Sequence, residues 1–168
     1  NLPVGQGFIL LPKHQRWVDV PLVALACARP LYFVAKEELF HPVPVGRFIS
    51  GLGGIPLNRS RPLQSRRSLR MIDSLFGLGE GIAVFPEGTY YPGRVGPGRP
   101  GMIRFICSRC NVPFVPAGVR YRAGRWRTGV TVVFGEPIIP AGDGDIRVLV
   151  DMVMDRISVL SGLPRVSV

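Results

Sequence analysis

Six apolar runs of four to six residues, separated by segments with helical spacing, set the frame for this 168-residue chain. They occupy residues 8–12 (FILLP), 31–35 (LYFVA), 55–58, 82–85, 114–119 and 130–134. Runs this short and this apolar read as buried strands. Within 62–78, Leu69, Ile72 and Phe76 recur at offsets of three and four and are followed by Gly77, Gly79 and Gly81, which predicts an amphipathic helix. From residue 146, Leu149, Val150, Val153, Ile157 and Leu160 form a second stripe. Shorter helices are expected over 21–28, with Asp19 as N-cap and Pro21 in the first turn. Others are expected over 36–40 and 45–52, divided by Pro42 and Pro44, and over 102–110. Strands alternating with helices predict an α/β fold, a single domain over 1–168 with a mixed, mostly parallel sheet flanked by helices.

Composition limits what such a sheet serves. Hydrophobic residues make up 46% of the chain, enough for a real core, and disorder is excluded. Glycine and proline together supply 38 residues, which favours many turns over long regular helices. There is no tandem repeat or low-complexity tract. The longest apolar stretch, residues 20–28, falls well short of the roughly 20 residues a spanning helix needs. The chain opens at Asn1 rather than a methionine, as expected of a domain excised from a longer protein. Three cysteines, Cys27, Cys107 and Cys110, form an odd set and read as buried thiols of a reduced protein.

Charge points to a partner. The formal net charge is +10, and only Lys13 and Lys36 among the 21 cations are not arginine. Such a surplus predicts an anionic ligand: nucleic acid, a phosphorylated small molecule, an acidic carrier protein or an anionic membrane. Arginine suits phosphate because its planar fork binds oxygens in pairs.

Four blocks carry residues with chemical potential. His14 follows the first strand and Asp19 comes five residues later. On one continuous helix these side chains would stand roughly 140° apart. With His14 in a loop and Asp19 opening the next helix, the chain folds back and the carboxylate meets the imidazole, which leaves the second ring nitrogen as a base. His41, beside Pro42, reads as a surface residue. Residues 54–59 (GIPLNR) form a strand ending in Arg59, read either as a phosphate fork at the sheet's C-terminal edge or as a solvated charge. Residues 84–89 (VFPEGT) deliver a carboxylate, a glycine and a hydroxyl into a loop rich in glycine and proline. Glu87 would repel a phosphate directly, so it is expected to accept hydrogen bonds or orient a neighbour. Residues 112–119 (VPFVPAGV) suit a wall for an acyl chain or an edge strand.

Taken in order, KHQRWVD at 13–19, GIPLNR at 54–59, FPEGTY at 85–90 and VPFVP at 112–116 resemble the glycerolipid acyltransferase family, typified by lysophosphatidate (1-acylglycerol-3-phosphate) acyltransferases. The resemblance spans nearly the whole chain. It implies a glycerol-3-phosphate acyltransferase-like fold and transfer of a fatty acyl group from acyl-CoA or acyl-carrier protein to a hydroxyl of a lyso-lipid. In that reading His14 is the general base and Asp19 holds its tautomer. Arg59 grips the acceptor's phosphate, aided by Glu87, Gly88 and Thr89, and Arg99 supplies further charge. Lys13, Arg16 and Tyr90 stand where the family pattern has asparagine, serine and arginine, flanking the site. No cofactor or metal is implied, only the acyl donor as substrate. The partners expected are the lyso-lipid, the donor and an anionic membrane surface, without nucleic acid. The place expected is the cytoplasmic face of a membrane, peripheral or anchored, with the membrane-associating segment outside this chain.

Two rival readings remain. A hydrolase would need a nucleophile, and no Gly-x-Ser-x-Gly elbow occurs. A non-catalytic basic module binding anionic membrane or nucleic acid would explain the charge, but gives no reason for His14, Asp19 and the FPEGT strand end.

Overall fold

Along the first strand, Phe8 and Leu10 bury on one face while Ile9 and Leu11 bury on the other, the period-two alternation of a strand enclosed on both sides. The structure, a computed structural model, describes residues 2–58, 66–107, 111–140 and 145–166. Among these residues six strands form one sheet: β1 (Phe8–Pro12), β2 (Leu31–Lys36), β3 (Gly54–Leu57), β4 (Gly81–Ala83), β5 (Phe114–Ala123) and β6 (Thr128–Phe134). Their spatial order is β3-β2-β4-β1-β5-β6. The first five run parallel, and β6 returns antiparallel to β5. The α/β architecture with a mixed, mostly parallel sheet is the one expected.

Among the described residues five α-helices accompany the sheet: α1 (Asp19–Ala26), α2 (Val43–Gly51), α3 (Arg66–Gly77), α4 (Pro100–Cys107) and α5 (Ile146–Ser161). Leu69, Ile72 and Leu75 of α3, Ile103 of α4, and Val150, Val153, Met154 and Ile157 of α5 bury against one face of the sheet. Val23 of α1 and the adjoining Cys27 cover the other. Asp145 caps α5 by accepting the Arg147 N–H at 2.8 Å, and Gly162 ends it in the left-handed region. The backbone of α5 lies directly on Gly118 of β5. A Cβ there would stand 2.3 Å from the Leu160 carbonyl carbon, so only glycine admits this approach.

Several boundaries depart from expectation. Asp19 is the first residue of α1 rather than its N-cap; Val18 takes the cap position without a side-chain bond. Pro44 lies inside the first turn of α2, where its missing N–H costs nothing, so only Pro42 divides that helix from the 3-10 turn at Glu37–Phe40. The VPFVP segment is not an edge strand: β5 lies between β1 and β6. Pro116 is tolerated because β6 has left the ladder there, Gly135 donating to the Pro116 carbonyl before Ile138 pairs with Phe114. β5 also runs four residues past the expected end at Val119. The expected helices over 62–78 and 102–110 are seen over their described parts only, since 62–65 and 108–110 lie outside the described residues. Cys27 is buried and Cys107 partly so, with burial pushing the Cys107 thiol's pKa up. Among the described residues no helix is long and apolar enough to cross a membrane.

Candidate active site

Parallel strands bring their C-terminal ends to one edge, where loops of an α/β sheet build sites. β1 and β4 are neighbours in this sheet, so the chain after Pro12 and the chain after Ala83 emerge side by side. The Lys13 N–H still bonds the Ala117 carbonyl of β5 at 2.9 Å, which fixes the point where His14 leaves the sheet. The next residues turn tightly. Asp19 Oδ2 accepts the backbone N–H of Gln15 at 2.5 Å and of Arg16 at 2.6 Å, and stands 3.3 Å from His14 Nδ1. The fold-back of imidazole onto carboxylate inferred from the sequence is thus present, built by N–H groups that precede the helix rather than lie within it.

Asp19 is fully buried, and Tyr121 of β5 donates its hydroxyl to Oδ1. Burial alone would raise the carboxyl's pKa. The hydrogen bonds from His14, Arg16, Tyr121 and Gln15 outweigh it and hold the group below the usual carboxylate range. An ionised carboxylate only accepts, so His14 Nδ1 carries the proton and Nε2 is left with its lone pair. The His14 side chain is 12% exposed. Its ring lies 4.0 Å from the Phe85 ring and 4.4 Å from the Tyr90 ring, centroid to centroid, which restricts its rotation. The Arg16 guanidinium covers the Tyr121 ring at 4.6 Å. Burial and the bond to Asp19 push the Tyr121 phenol's pKa up, so the hydroxyl stays a donor.

A second carboxylate is enclosed one strand away. The Lys13 ammonium lies 2.9 and 2.8 Å from the two oxygens of Glu87, and neither side chain has any solvent exposure. Lys13 Nζ also reaches the His14 carbonyl at 2.8 Å and the Tyr91 carbonyl at 2.9 Å. Glu87 accepts the His14 N–H at 2.8 Å and the Gly96 N–H at 2.7 Å. This pair therefore ties the backbone of His14 to the 85–100 loop at Tyr91 and Gly96. Burial lowers the Lys13 pKa, and the Glu87 carboxylate works against that shift.

The expected site residues are distributed as follows. His14, Asp19, Glu87, Gly88 and Arg99 belong to one cluster at the ends of β1 and β4. The Glu87 carboxylate is spent inside the chain, so it bears on a ligand only through the backbone it holds. Gly88 adopts φ +70°, and Arg99 passes over it so closely that a Cβ would meet Arg99 Nε at 3.3 Å. Thr89 and Arg99 are exposed. Arg59 lies outside the described residues; β3 before it is parallel to β1 and ends at the same edge. Lys13, expected to flank a substrate, instead points inward. His41 is exposed, as a surface residue would be. Sequence reasoning missed Tyr121, Phe85 and Gln15. Gln15 bonds the Val119 carbonyl at 2.9 Å and accepts the Gly93 N–H at 3.0 Å, joining β5 to the loop. Among the described residues no cluster of histidine, cysteine or acidic groups is placed to hold a metal ion.

A family model described as Acyltransferase matches residues 1–120. The chain is 28% identical over 147 residues to the 1-acyl-sn-glycerol-3-phosphate acyltransferase of Bacillus subtilis, covering 82% of this chain and 70% of that protein. It is 27% identical over 158 residues to the chloroplastic 1-acyl-sn-glycerol-3-phosphate acyltransferase BAT2 of Brassica napus, covering 89% of this chain but 42% of the plant protein. The crystal structure of PlsC, a 1-acyl-sn-glycerophosphate acyltransferase from Thermotoga maritima, superposes with a TM-score of 0.68 at 29% identity. That match covers 94% of this chain and 66% of the Thermotoga chain.

Proposed function

From the premise that the chain belongs to the acyltransferase family, we propose that it moves a fatty acyl group from acyl-CoA or acyl-carrier protein to a hydroxyl of lysophosphatidate or a related lyso-lipid. His14 Nε2 takes the proton of the acceptor hydroxyl as its oxygen attacks the thioester carbonyl carbon. The tetrahedral intermediate then collapses: the carbon–sulfur bond breaks, and the imidazolium returns the proton to the departing thiolate. No acyl-enzyme is needed. Asp19 orients the ring and stabilises its transient positive charge. Arg59 forks the acceptor's phosphate, with the Gly88–Thr89 backbone and Arg99 adding hydrogen bonds and charge. The enzyme works as a peripheral protein on the cytoplasmic face of a membrane, where its lipid acceptor resides.

The observation that carries this reading is the 3.3 Å approach of His14 Nδ1 to a wholly buried Asp19. Replacing His14 with alanine lowers the transfer rate by at least about two orders of magnitude, the usual scale of general-base catalysis. Undiminished transfer by that variant, assayed with a labelled acyl donor and a panel of lyso-lipids, rejects the mechanism. Arg59→Ala raises the KM for the phosphorylated acceptor and spares that of the donor; equal damage to both removes Arg59 from its assigned role.

A further inference from the structure

The β5–β6 hairpin outruns the rest of the sheet. β5 pairs with β1 only as far as Ala117, yet continues to Ala123, about 20 Å further at 3.3–3.4 Å per residue. Tyr121 meets Asp19 along the way, which sets the projection against the mouth of the site. The turn that follows is closed by the Gly124 N–H on the Arg127 carbonyl at 2.9 Å, and begins about 10 Å beyond Tyr121.

That tip has an unusual surface. Arg122, Arg125 and Arg127 are exposed and form no ion pair with a described residue. Trp126 between them is 87% exposed, with the Arg125 guanidinium 5.7 Å from its ring. No acidic residue occurs from Arg120 to Gly135. Arg120 is engaged elsewhere, on the Leu160 carbonyl at the end of α5. A tryptophan this exposed buries little of its ring in the fold, and three guanidinium groups without acidic partners beside it repel one another. Both features fit the boundary of a bilayer: an indole rests at headgroup depth, and guanidinium forks take lipid phosphates. The charges are gathered at one point rather than along a track, which suits a surface better than the backbone of a nucleic-acid duplex.

We propose that the tip of the β5–β6 hairpin, Arg122 to Arg127, is a prong that docks this protein on an anionic bilayer and seats the His14–Asp19 mouth against it. The reason for docking there rests on the acyl-transfer reading, but the docking itself is tested without it. In the chain carrying Trp17→Phe, Trp126 is the sole tryptophan. Its emission shifts to the blue, and brominated lipids quench it, on phosphatidylcholine vesicles that contain about one third phosphatidylglycerol. Neither change occurs on phosphatidylcholine alone, and both fade as salt rises. Triple replacement of Arg122, Arg125 and Arg127 with glutamine lowers partitioning onto the anionic vesicles at least about tenfold. Transfer to a water-soluble short-chain acceptor is kept by that variant, which also reports that it is folded.

An unshifted Trp126, or a triple variant that partitions like the parent, overturns the proposal. Retardation of a DNA duplex, or retention on acyl-carrier protein, that needs these arginines while vesicles go unbound overturns it in favour of that partner. Vesicle binding through Trp126 with no transfer to any acceptor leaves the docking in place and rejects the acyl-transfer reading instead.

Discussion

Asp19 and Glu87 follow adjacent strands, β1 and β4, both shut off from water and both accepting backbone N–H groups. Glu87 faces a lysine ammonium sealed in with it, so its charge is neutralised on the spot and nothing in the pair is free to move a proton. Asp19 faces an imidazole whose other nitrogen is left for chemistry, and Tyr121 and two N–H groups hold the carboxylate in place. One carboxylate fixes a backbone, whereas the other, in the proposed mechanism, tunes a base. Burial and hydrogen bonding alone do not separate the two roles; the partner's capacity to exchange a proton does.

The largest effect is expected where this contrast is broken outright. Glu87→Ala strands a buried ammonium and releases the His14 and Gly96 N–H groups, costing about 3–5 kcal/mol of stability in a urea titration. Lys13→Met combined with Glu87→Leu removes both charges and recovers the part of that loss due to the stranded ammonium, while the backbone groups the pair held stay unpaired. Asp19→Asn acts on rate instead. It leaves His14 without its orienting anion, and kcat falls by roughly two orders of magnitude or more while substrate KM values hold. A comparable fall in Asp19→Asn stability and in Glu87→Ala stability would erase the distinction.

Acid separates the pair more finely. The folded-state pKa of Asp19 is lowered, so its contribution to stability is complete above its ordinary value near 3.8 and drains as pH falls through the depressed folded value. Asp19→Asn loses this portion of the acid slope of Tm against pH. The smallest effect belongs to Tyr121→Phe. It removes one donor from Asp19 Oδ1, costs about 1–3 kcal/mol of stability, and lowers kcat a few-fold.

The strands were legible where both faces are buried, because a central parallel strand is written as an unbroken apolar run; residues 8–12 and 82–85 are of this kind. The outer half of β5 was not. Arg120 to Ala123 is polar and largely exposed, so its pattern looks like a loop, and Tyr121 was lost with it. His14 and Asp19 were readable because five residues separate them. Lys13 was misjudged because its partner lies 74 residues away. Nothing local distinguishes a lysine that faces a ligand from one that turns under the sheet's edge.

The burial of Lys13 has a chemical corollary. In the acyl-transfer reading proposed above the donor is a thioester, which a free amine beside the imidazole would attack. Held as an ammonium against Glu87, Lys13 has no lone pair to offer and lies out of an electrophile's reach. Lys36 is the chain's other lysine, and arginine, inert towards thioesters at neutral pH, carries the rest of the positive charge. The molecule thereby carries its positive charge with almost no reactive amine.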